Sequence, residues 1–585
     1  MHLMAELQRR KVFKVGAAYV VVAWLAVQAA SIAFPTFEAP LWVLRVFILV
    51  ALLGFPLALV LAWAVEATPD GLRLDPGVAG TKRVVAGAVL LALLALGWYF
   101  YGQPAFRKTD LAVAPVASSV PSAATGAAQP AAPAVDPHSI AVLPFVDMSQ
   151  TRDQEYFSDG LSEELLNLLA QLPQLRVIAR TSSFSFKGKE VDVGTIARAL
   201  HVANVLEGSV RKSGNTLRIT AQLIRASDST HLWSQTYDRE LTDVFKVQDE
   251  IAGAVVSALK VQLLPDQTIT SARRSADPEA YNQYLLGNEL LKRVNEPGWR
   301  LAIDAYHRAI ARDPGFAGAY AGLANAEGSL GDALGDATIM RQAVVDGSRS
   351  IALAPDLVEG YVTRGISRLS SEKDWAGAQA DFEKAITLNP GDSNAQLGYG
   401  RLMTALGRVP EAIAASRRST ALDPLGPQSW ALLGRVLNFV HQFPAARQAL
   451  DRALALSPES DMVLFHRGLN DLLQGRAREA LAFFRKSGGG YGGAGVAMAE
   501  HSLGHVRESQ QALDAEIAAY SQGAAYQIAE VYAWRGEKDK AFQWLDRAYA
   551  QKDGGLTFVK VDPTLASITG DPRFAALLKK LGLPA

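Results

Sequence analysis

The sequence predicts a multi-domain chain: three transmembrane α-helices, an α/β domain with a mixed sheet, and an all-α solenoid of paired helices. Three observations predict it. Apolar stretches of helix-spanning length crowd the first hundred residues. A middle segment then switches between strand and helix periodicity. Finally, prolines recur at near-constant intervals through the remainder. The 585 residues carry 58 Lys+Arg against 58 Asp+Glu, so formal charge is zero, and that balance gives no basic footprint for nucleic acid. With no cysteine, disulfides, thiolate metal sites and thiol nucleophiles are all excluded.

A hydrocarbon core about 30 Å thick takes about 20 helical residues to cross. Residues 15–34, 43–65 and 84–101 meet that length and define a membrane domain over 1–101. Trp42, Trp63, Trp98, Tyr99 and Tyr101 lie near segment ends, where interfacial aromatics concentrate. Arg9, Arg10, Lys11 and Lys14 precede the first segment, and Arg73, Lys82 and Arg83 separate the second from the third. Only Arg45, Arg107 and Lys108 fall on the opposite side. The positive-inside rule then puts the N-terminus in the cytoplasm and everything after about residue 101 outside, which in a bacterium is the periplasm. A signal peptide cleaved near Ala29-Ala30-Ser31 is the competing reading, but two further spans would still hold the chain.

Residues 102–138 contain 11 Ala and 6 Pro and lack the large apolar residues of a core, so they read as a linker. An α/β domain over 139–265 follows. The run Ile140–Phe145 suits a buried strand, and Leu161, Leu165, Leu168, Leu169 and Leu172 define one face of a helix ended by Pro173. A strand at 176–179 and a helix at 193–200 come next. Strands at 205–211, 216–223 and 232–239 then precede a helix over 243–264, with Lys212-Ser213-Gly214-Asn215 as a turn.

The phrases SIAVLPF, EYFSDGLSEELLNLLAQLPQLRVIARTSSFSFKG, ANVLEGSVRKSGNTLRITAQLIRASDSTHLWSQTYDREL and FKVQDEIA resemble the TolB amino-terminal-like domain, which is related to FlgO. In that family the domain commonly follows transmembrane helices and precedes tetratricopeptide repeats. It is often linked to an adenylate-cyclase-type or CadC-like head. The resemblance implies protein–protein interaction and assembly at the envelope, and it supplies no catalytic residues. The short stretch before residue 15 leaves no room for such a head, which is a departure from the family pattern.

Pro314, Pro355, Pro390, Pro424 and Pro458 are separated by 41, 35, 34 and 34 residues, and each follows an Ala-rich helical pattern that it terminates. Small and aromatic residues recur with them: Tyr361, Gly365, Ala378, Phe382 and Ala385 in one unit, Trp430, Gly434, Ala446, Leu450 and Ala453 in another. This pattern resembles the tetratricopeptide repeat over about 278–550, with 551–585 as a C-terminal capping segment. Such arrays present a concave face. The repeat register puts Asn394, Arg401, Gln428, Arg435 and Asn438 on it, where arginines and amides suit acidic or carboxylate-bearing peptides.

Catalytic motifs are thin. GxxxxGK[ST], HExxH and GxSxG are absent from the sequence. The glycine run Gly488–Gly495 reads as a flexible junction between repeats. His501 and His505 beside Glu500 have metal-ligand spacing but no third ligand. Asp153, Glu155, Asp159, Glu163 and Glu164 open a helix whose N-terminal dipole favours carboxylates. No catalytic, cofactor-binding or metal-binding residue is therefore assigned, and no cofactor is expected. The expected function is that of an inner-membrane-anchored periplasmic scaffold or adaptor, with protein or peptide partners in the repeat groove and the bilayer at its N-terminus. The alternative is a transmembrane signalling or sensor component acting with a separate effector. Oligomeric state is not legible in the sequence.

Overall fold

The computed structural model describes residues 135–149, 155–214, 216–240, 244–259, 261, 275 and 277–584, with Tyr19, Val22, Ala23, Ala26, Val65–Thr68 and Gly71–Leu74 from the first hundred. The chain divides into two compact units, Met1–Ala127 and Ala128–Ala585. In the first, strands β1 (Val65–Thr68) and β2 (Gly71–Leu74) pair antiparallel, with Thr68 opposite Gly71. Val65, expected at the end of a membrane helix, is thus in a strand. The intervening Pro-Asp and the following Gly carry the turn chemistry that a hydropathy reading passes over. No described helix is long and apolar enough to cross a membrane. Apart from Tyr19, Val22, Ala23, Ala26 and Val65, the three expected spans lie outside the described residues, as does the linker up to residue 134.

The second unit opens with the expected α/β domain. Its elements are β3 (Ser139–Val142), β4 (Val146–Asp147), α1 (Glu155–Ala170), β5 (Arg176–Val177), α2 (Arg180–Phe184), α3 (Val193–Leu200), β6 (Asn204–Ser213), β7 (Thr216–Arg225), β8 (Thr230–Glu240) and α4 (Val244–Ala258). The sheet is mixed, in the order β5-β3-β6-β7-β8. β3 is parallel to both neighbours, β4 is parallel to β6, and β6-β7-β8 form an antiparallel meander. β3 reads as an unbroken apolar run because it is buried on both faces. Ile140 and Val142 join the core under α1 and α4, whereas Ala141 pairs with Ile178, Ile196 and Leu200 on the α3 side. β7 has a single buried face, so Leu217, Ile219, Ala221 and Leu223 alternate with polar residues. The short α2 was not foreseen; its Arg-Thr-Ser-Ser-Phe stretch carries no helical periodicity.

Eight helix pairs follow among the described residues: α5/α6 (Pro278–Leu291, Glu296–Arg312), α7/α8 (Ala317–Leu334, Ala337–Leu353), α9/α10 (Val358–Ser367, Trp375–Leu388), α11/α12 (Ser393–Ala405, Val409–Leu422), α13/α14 (Pro427–Phe439, Phe443–Leu456), α15/α16 (Asp461–Leu472, Ala477–Phe484), α17/α18 (Gly489–Ser502, Val506–Tyr520) and α19/α20 (Ala525–Trp534, Lys538–Gln551). The periodic prolines act through the residue before them. Asp313, Ala354, Asn389, Asp423 and Ser457 cap α6, α8, α10, α12 and α14 at φ between −131° and −142°, because a following proline disfavours the helical region. Within each pair the turn needs one left-handed residue. Gly335, Gly407, Gly475, Gly504 and Gly536 supply it in five repeats, and Val294, Lys373 and His441 in three.

Stacking depends on a large residue of the second helix entering a gap left by glycine. A Cβ on Gly365 or Gly398 would come within 3.0 or 2.3 Å of the buried Phe382 ring, and one on Gly468 or Gly495 within 2.6 or 2.3 Å of Phe484. This corrects the reading of Gly488–Gly495 as a flexible junction. Gly489 onward is the start of α17, and a Cβ on Gly490 or Gly493 would lie 2.3 Å from the Ala524 Cβ or 2.2 Å from a Glu516 carboxylate oxygen. Close approach, not flexibility, is what these glycines serve.

Two one-turn 3₁₀ segments (Gly554–Phe558 and Pro563–Ile568) and α21 (Pro572–Lys580) end the chain. Phe574, Leu577, Leu578 and Leu581 are buried. The cap also reaches back to the middle of the solenoid, where Trp375 Nε1 donates to the Leu581 carbonyl at 2.7 Å. The α/β domain is likewise held at two places. Tyr281, Tyr284 and Tyr306 continue the core that contains Leu161 and Leu165. Farther along, Ser182 Oγ donates to Asp423 at 2.5 Å, and the Ala179 amide donates to the Leu422 carbonyl at 2.8 Å.

Candidate functional site

Two recesses lie along the inner face of the second unit. The first, about 420 Å³, is bounded by α1 and α2 on one side and by α5, α7, α9 and the start of α11 on the other. Amides are its recurring polar group. Asn288 Oδ1 accepts from the Tyr306 hydroxyl at 2.7 Å, while Asn167, Asn325 and Asn394 have no hydrogen-bond partner among the described residues. Asn325 and Asn394 are exposed to the recess.

The second recess, about 680 Å³, lies inside the later repeats, and the segment Asp553–Asp562 forms one wall. Arg401 on α11 and Arg435 on α13 stand one 34-residue repeat apart and both line it. Arg435 Nε donates to His466 Nε2 at 2.7 Å, and its guanidinium lies 4.5 Å from the centre of the Phe558 ring. Burial, and then the Arg435 charge, hold the His466 imidazole well below its usual pKa, so it is neutral. Because Nε2 accepts, the proton is on Nδ1, an atom without a partner among the described residues. Burial also lowers the pKa of Arg401 and Arg435, although Arg401 is open to the water of the recess. Lys373 is pushed down to about 8 by burial, and its ammonium donates to Thr557 Oγ1 at 3.1 Å.

Asp332 is exposed at this recess and its charge opposes the effect of burial on Lys373 and Arg401, whereas the other acids serve the fold. Asp553 accepts from the Tyr526 and Gly555 amides at 3.0 and 2.9 Å, and Asp562 from the Tyr526 hydroxyl at 3.0 Å and from Thr564. Burial next to Asp562 raises Glu530 well above the usual carboxylate range, which keeps it neutral.

The five residues assigned from the repeat register therefore separate. Arg401 and Arg435 share the larger recess and Asn394 lines the smaller one. Gln428 is exposed and lines neither. Asn438 is corrected: it is fully buried, with its amide donating to the His466 carbonyl at 2.8 Å and its oxygen accepting from Asn470 at 2.7 Å, so no group remains for a partner. Lys373 was missed. The signal was available, since it falls where Gly407 and Gly475 stand in later repeats.

Other constellations resolve as structure. Glu500 accepts from His505 at 2.8 Å and from Arg485 at 3.1 Å, so its contact with His505 spans the turn between α17 and α18. Asp153 lies outside the described residues. Glu155 and Asp159 pair with Lys187, Glu163 with Arg180, and Asp159 also meets Lys292, which caps α5, at 3.2 Å. Asp159 thus joins the α/β domain to the first repeat, while Glu155 and Glu163 pair within the domain.

Residues 369–436 and 432–490 match models of the tetratricopeptide repeat. The C-terminal region is a tetratricopeptide-repeat array. Residues 136–254, the α/β domain, match the model of the HilA/YgeH-like transcriptional regulator, second domain. A protein of Rhizobium meliloti (strain 1021) named "Putative adenylate cyclase 3" is 42% identical over 186 residues, which is 32% of this chain and 32% of that protein. The chain thus spans about a third of the length of that curated relative. Among solved structures, the Cut9–Hcn1 hetero-tetramer of APC/C aligns at a TM-score of 0.36 and 15% identity, over 57% of this chain and 59% of that one. YrrB, described as a tetratricopeptide protein with an unusual peptide-binding site, aligns at 0.26 and 16%, over 36% of this chain and 99% of that one.

Proposed function

We propose that the protein is a membrane-anchored scaffold or adaptor that binds protein partners through its repeats and works by binding, not by catalysis. The observation that carries this reading is the recess of open amides at Asn167, Asn325 and Asn394. Side-chain amides offer a donor and an acceptor together, matching the backbone of an extended peptide. The apolar stretches at 15–34, 43–65 and 84–101 and their Lys/Arg distribution support an inner-membrane anchor with residues after about 101 in the periplasm. In this reading the α/β domain, with its TolB-like phrases, is a second interaction module at the envelope.

In-cell crosslinking followed by capture of the full chain tests the proposal. Specific partners should be lost in the double variant Asn325→Ala/Asn394→Ala and retained in Gln428→Ala. Equal capture by both variants would refute the assignment of the recess. A reporter fused after Lys108 tests the topology, and activity of a cytoplasmic reporter there would overturn the periplasmic placement.

A second reading, a signalling component, is favoured by the likeness of residues 136–254 to a domain of transcriptional regulators. Exporting the chain without residues 1–101 separates the two. A scaffold keeps its partners, whereas a transmembrane signaller loses its output.

A further inference from the structure

Several arginines elsewhere in the repeats are neutralised by carboxylates. Arg364 and Arg368 share Asp381, Arg408 meets Glu411, and Arg447, Arg467 and Arg476 converge on Asp471, all within 2.5–2.8 Å. The larger recess differs from these clusters. Among the described residues no carboxylate lies within ion-pairing distance of Lys373, Arg401 or Arg435; burial lowers the pKa of all three, Asp332 and Asp553 oppose this at Lys373 and Asp332 at Arg401 from beyond that distance, and Arg401 adds to the lowering at Lys373 and Arg435. Arg401 has no hydrogen-bond partner there either. Like charges without a direct ion pair in a partly desolvated cavity leave a place for an anion nearer to them than those carboxylates.

A second observation is independent of charge. Lys373 holds the left-handed turn position at φ +52°, where five of the eight repeats place glycine. It follows a π-helical turn, Arg368–Glu372, that extends α9. A lysine in this conformation is strained by about 1 kcal/mol relative to glycine. Its side chain then runs into the recess beside Thr557. Strained backbone and π-bulges both concentrate at functional sites.

We propose that the recess enclosed by α11, α13, α15 and the Asp553–Asp562 segment binds a small organic polyanion, whose carboxylate or phosphate groups pair with Lys373, Arg401 and Arg435. The volume, about 680 Å³, is that of a small-molecule site. An extended peptide running along the concave face would meet the Gly554–Phe558 turn, which Arg435 and Lys373 hold in place. Tyr491 and Phe558 offer aromatic surface for the ligand's carbon skeleton. The site is distinct from the amide recess, so it stands or falls apart from partner binding.

Isothermal titration of the full chain in detergent, at constant ionic strength, tests it with two probes: citrate for a carboxylate source and fructose 1,6-bisphosphate for a phosphate source. Saturable heat from either is expected and identifies the preferred group. Arg401→Gln and Lys373→Gly should each weaken that probe at least tenfold, while Arg408→Gln, whose ion pair lies outside the recess, should not. Lys373→Gly guards against misfolding, since glycine is the residue the turn accepts most readily. Its circular dichroism should match that of the wild type. The absence of saturable binding by both probes would overturn the proposal, as would equal binding by wild type and the two recess variants. Retention of an acidic peptide in the recess with neither probe binding would overturn it too.

Discussion

Replacing Glu327 with glutamine should stabilise the protein, and more so as pH rises. Glu327 on α7 is only 7% exposed, one of its carboxylate oxygens has no partner among the described residues, and Asp346 on α8 is its buried neighbour. Gln342 donates to Asp346 at 2.8 Å. Burial first, then the charge of Asp346 and their hydrogen bond, raise the Glu327 pKa to about 9. The unfolded chain ionises Glu327 near pH 4.5, so between about pH 4.5 and 9 the folded state binds a proton that the unfolded state lacks. Stability is therefore lost as pH rises through that window, at about 1.4 kcal/mol per pH unit. Holding the proton costs about 3 kcal/mol at pH 7 and about 5 kcal/mol at pH 8. Glutamine has the same shape and can donate to Asp346, but carries no proton to lose. The gap between Glu327→Gln and wild type should thus be small at pH 5 and widen to pH 8. Hydrogen exchange of α7 and α8 amides at pH 5, 7 and 8, corrected for intrinsic rates, reads this locally, which suits a repeat array that need not unfold in one step. A pH-independent gap, or a variant less protected than wild type at pH 8, would refute the protonated assignment.

Three further outcomes are expected. Asp471→Asn removes a 2%-exposed carboxylate that pairs with Arg447, Arg467 and Arg476, and should destabilise the α15/α16 region by about 3–5 kcal/mol in denaturant melts. Burial raises the Asp471 pKa but the Arg476 and Arg467 hydrogen bonds outweigh it, so the net value is lowered. Its contribution is present above the unfolded carboxylate pKa and disappears as pH falls through the folded one, so wild type and variant should converge in acid. Gly398→Ala drives a methyl to 2.3 Å from the Phe382 ring and should cost about 1–3 kcal/mol of thermal stability despite alanine's better helix propensity. Ser182→Ala leaves the buried Asp423 carboxylate and the Leu425 amide without their partner, 2.5 and 2.8 Å away, and should loosen the α/β–repeat junction by about 1–3 kcal/mol, seen as faster exchange at α2.

Much of the fold was legible because its causes are local. Pro390 excludes Asn389 from the helical region whatever surrounds it, so the proline spacing alone marked the ends of second helices. Leu217, Ile219, Ala221 and Leu223 announced a one-faced strand through alternation. The repeat register also set Arg401 and Arg435 on the same inner face. It failed at Asn438, one turn beyond Arg435, which is closed over by His466 and Asn470 of the next repeat. It failed again at Gly488–Gly495, since a glycine needed for close packing and one needed for a loop are the same letter.

The sequence by itself determined which segments are helices, where they stop, and that they stack with a period near 34 residues, because propensity, proline sterics and apolar periodicity act over a few neighbours. Only the tertiary structure decided which charges find partners. Arg467 and Arg401 are the same residue type on helices of the same kind, yet one meets Asp451 and Asp471 and the other meets water in a cavity. Lys373 joins that cavity beside Thr557, and the C-terminal segment that walls it arrives from more than 180 residues away. Ion pairing is settled by distances of a few ångströms between chain-distant atoms, and those distances exist only once the solenoid has closed on itself.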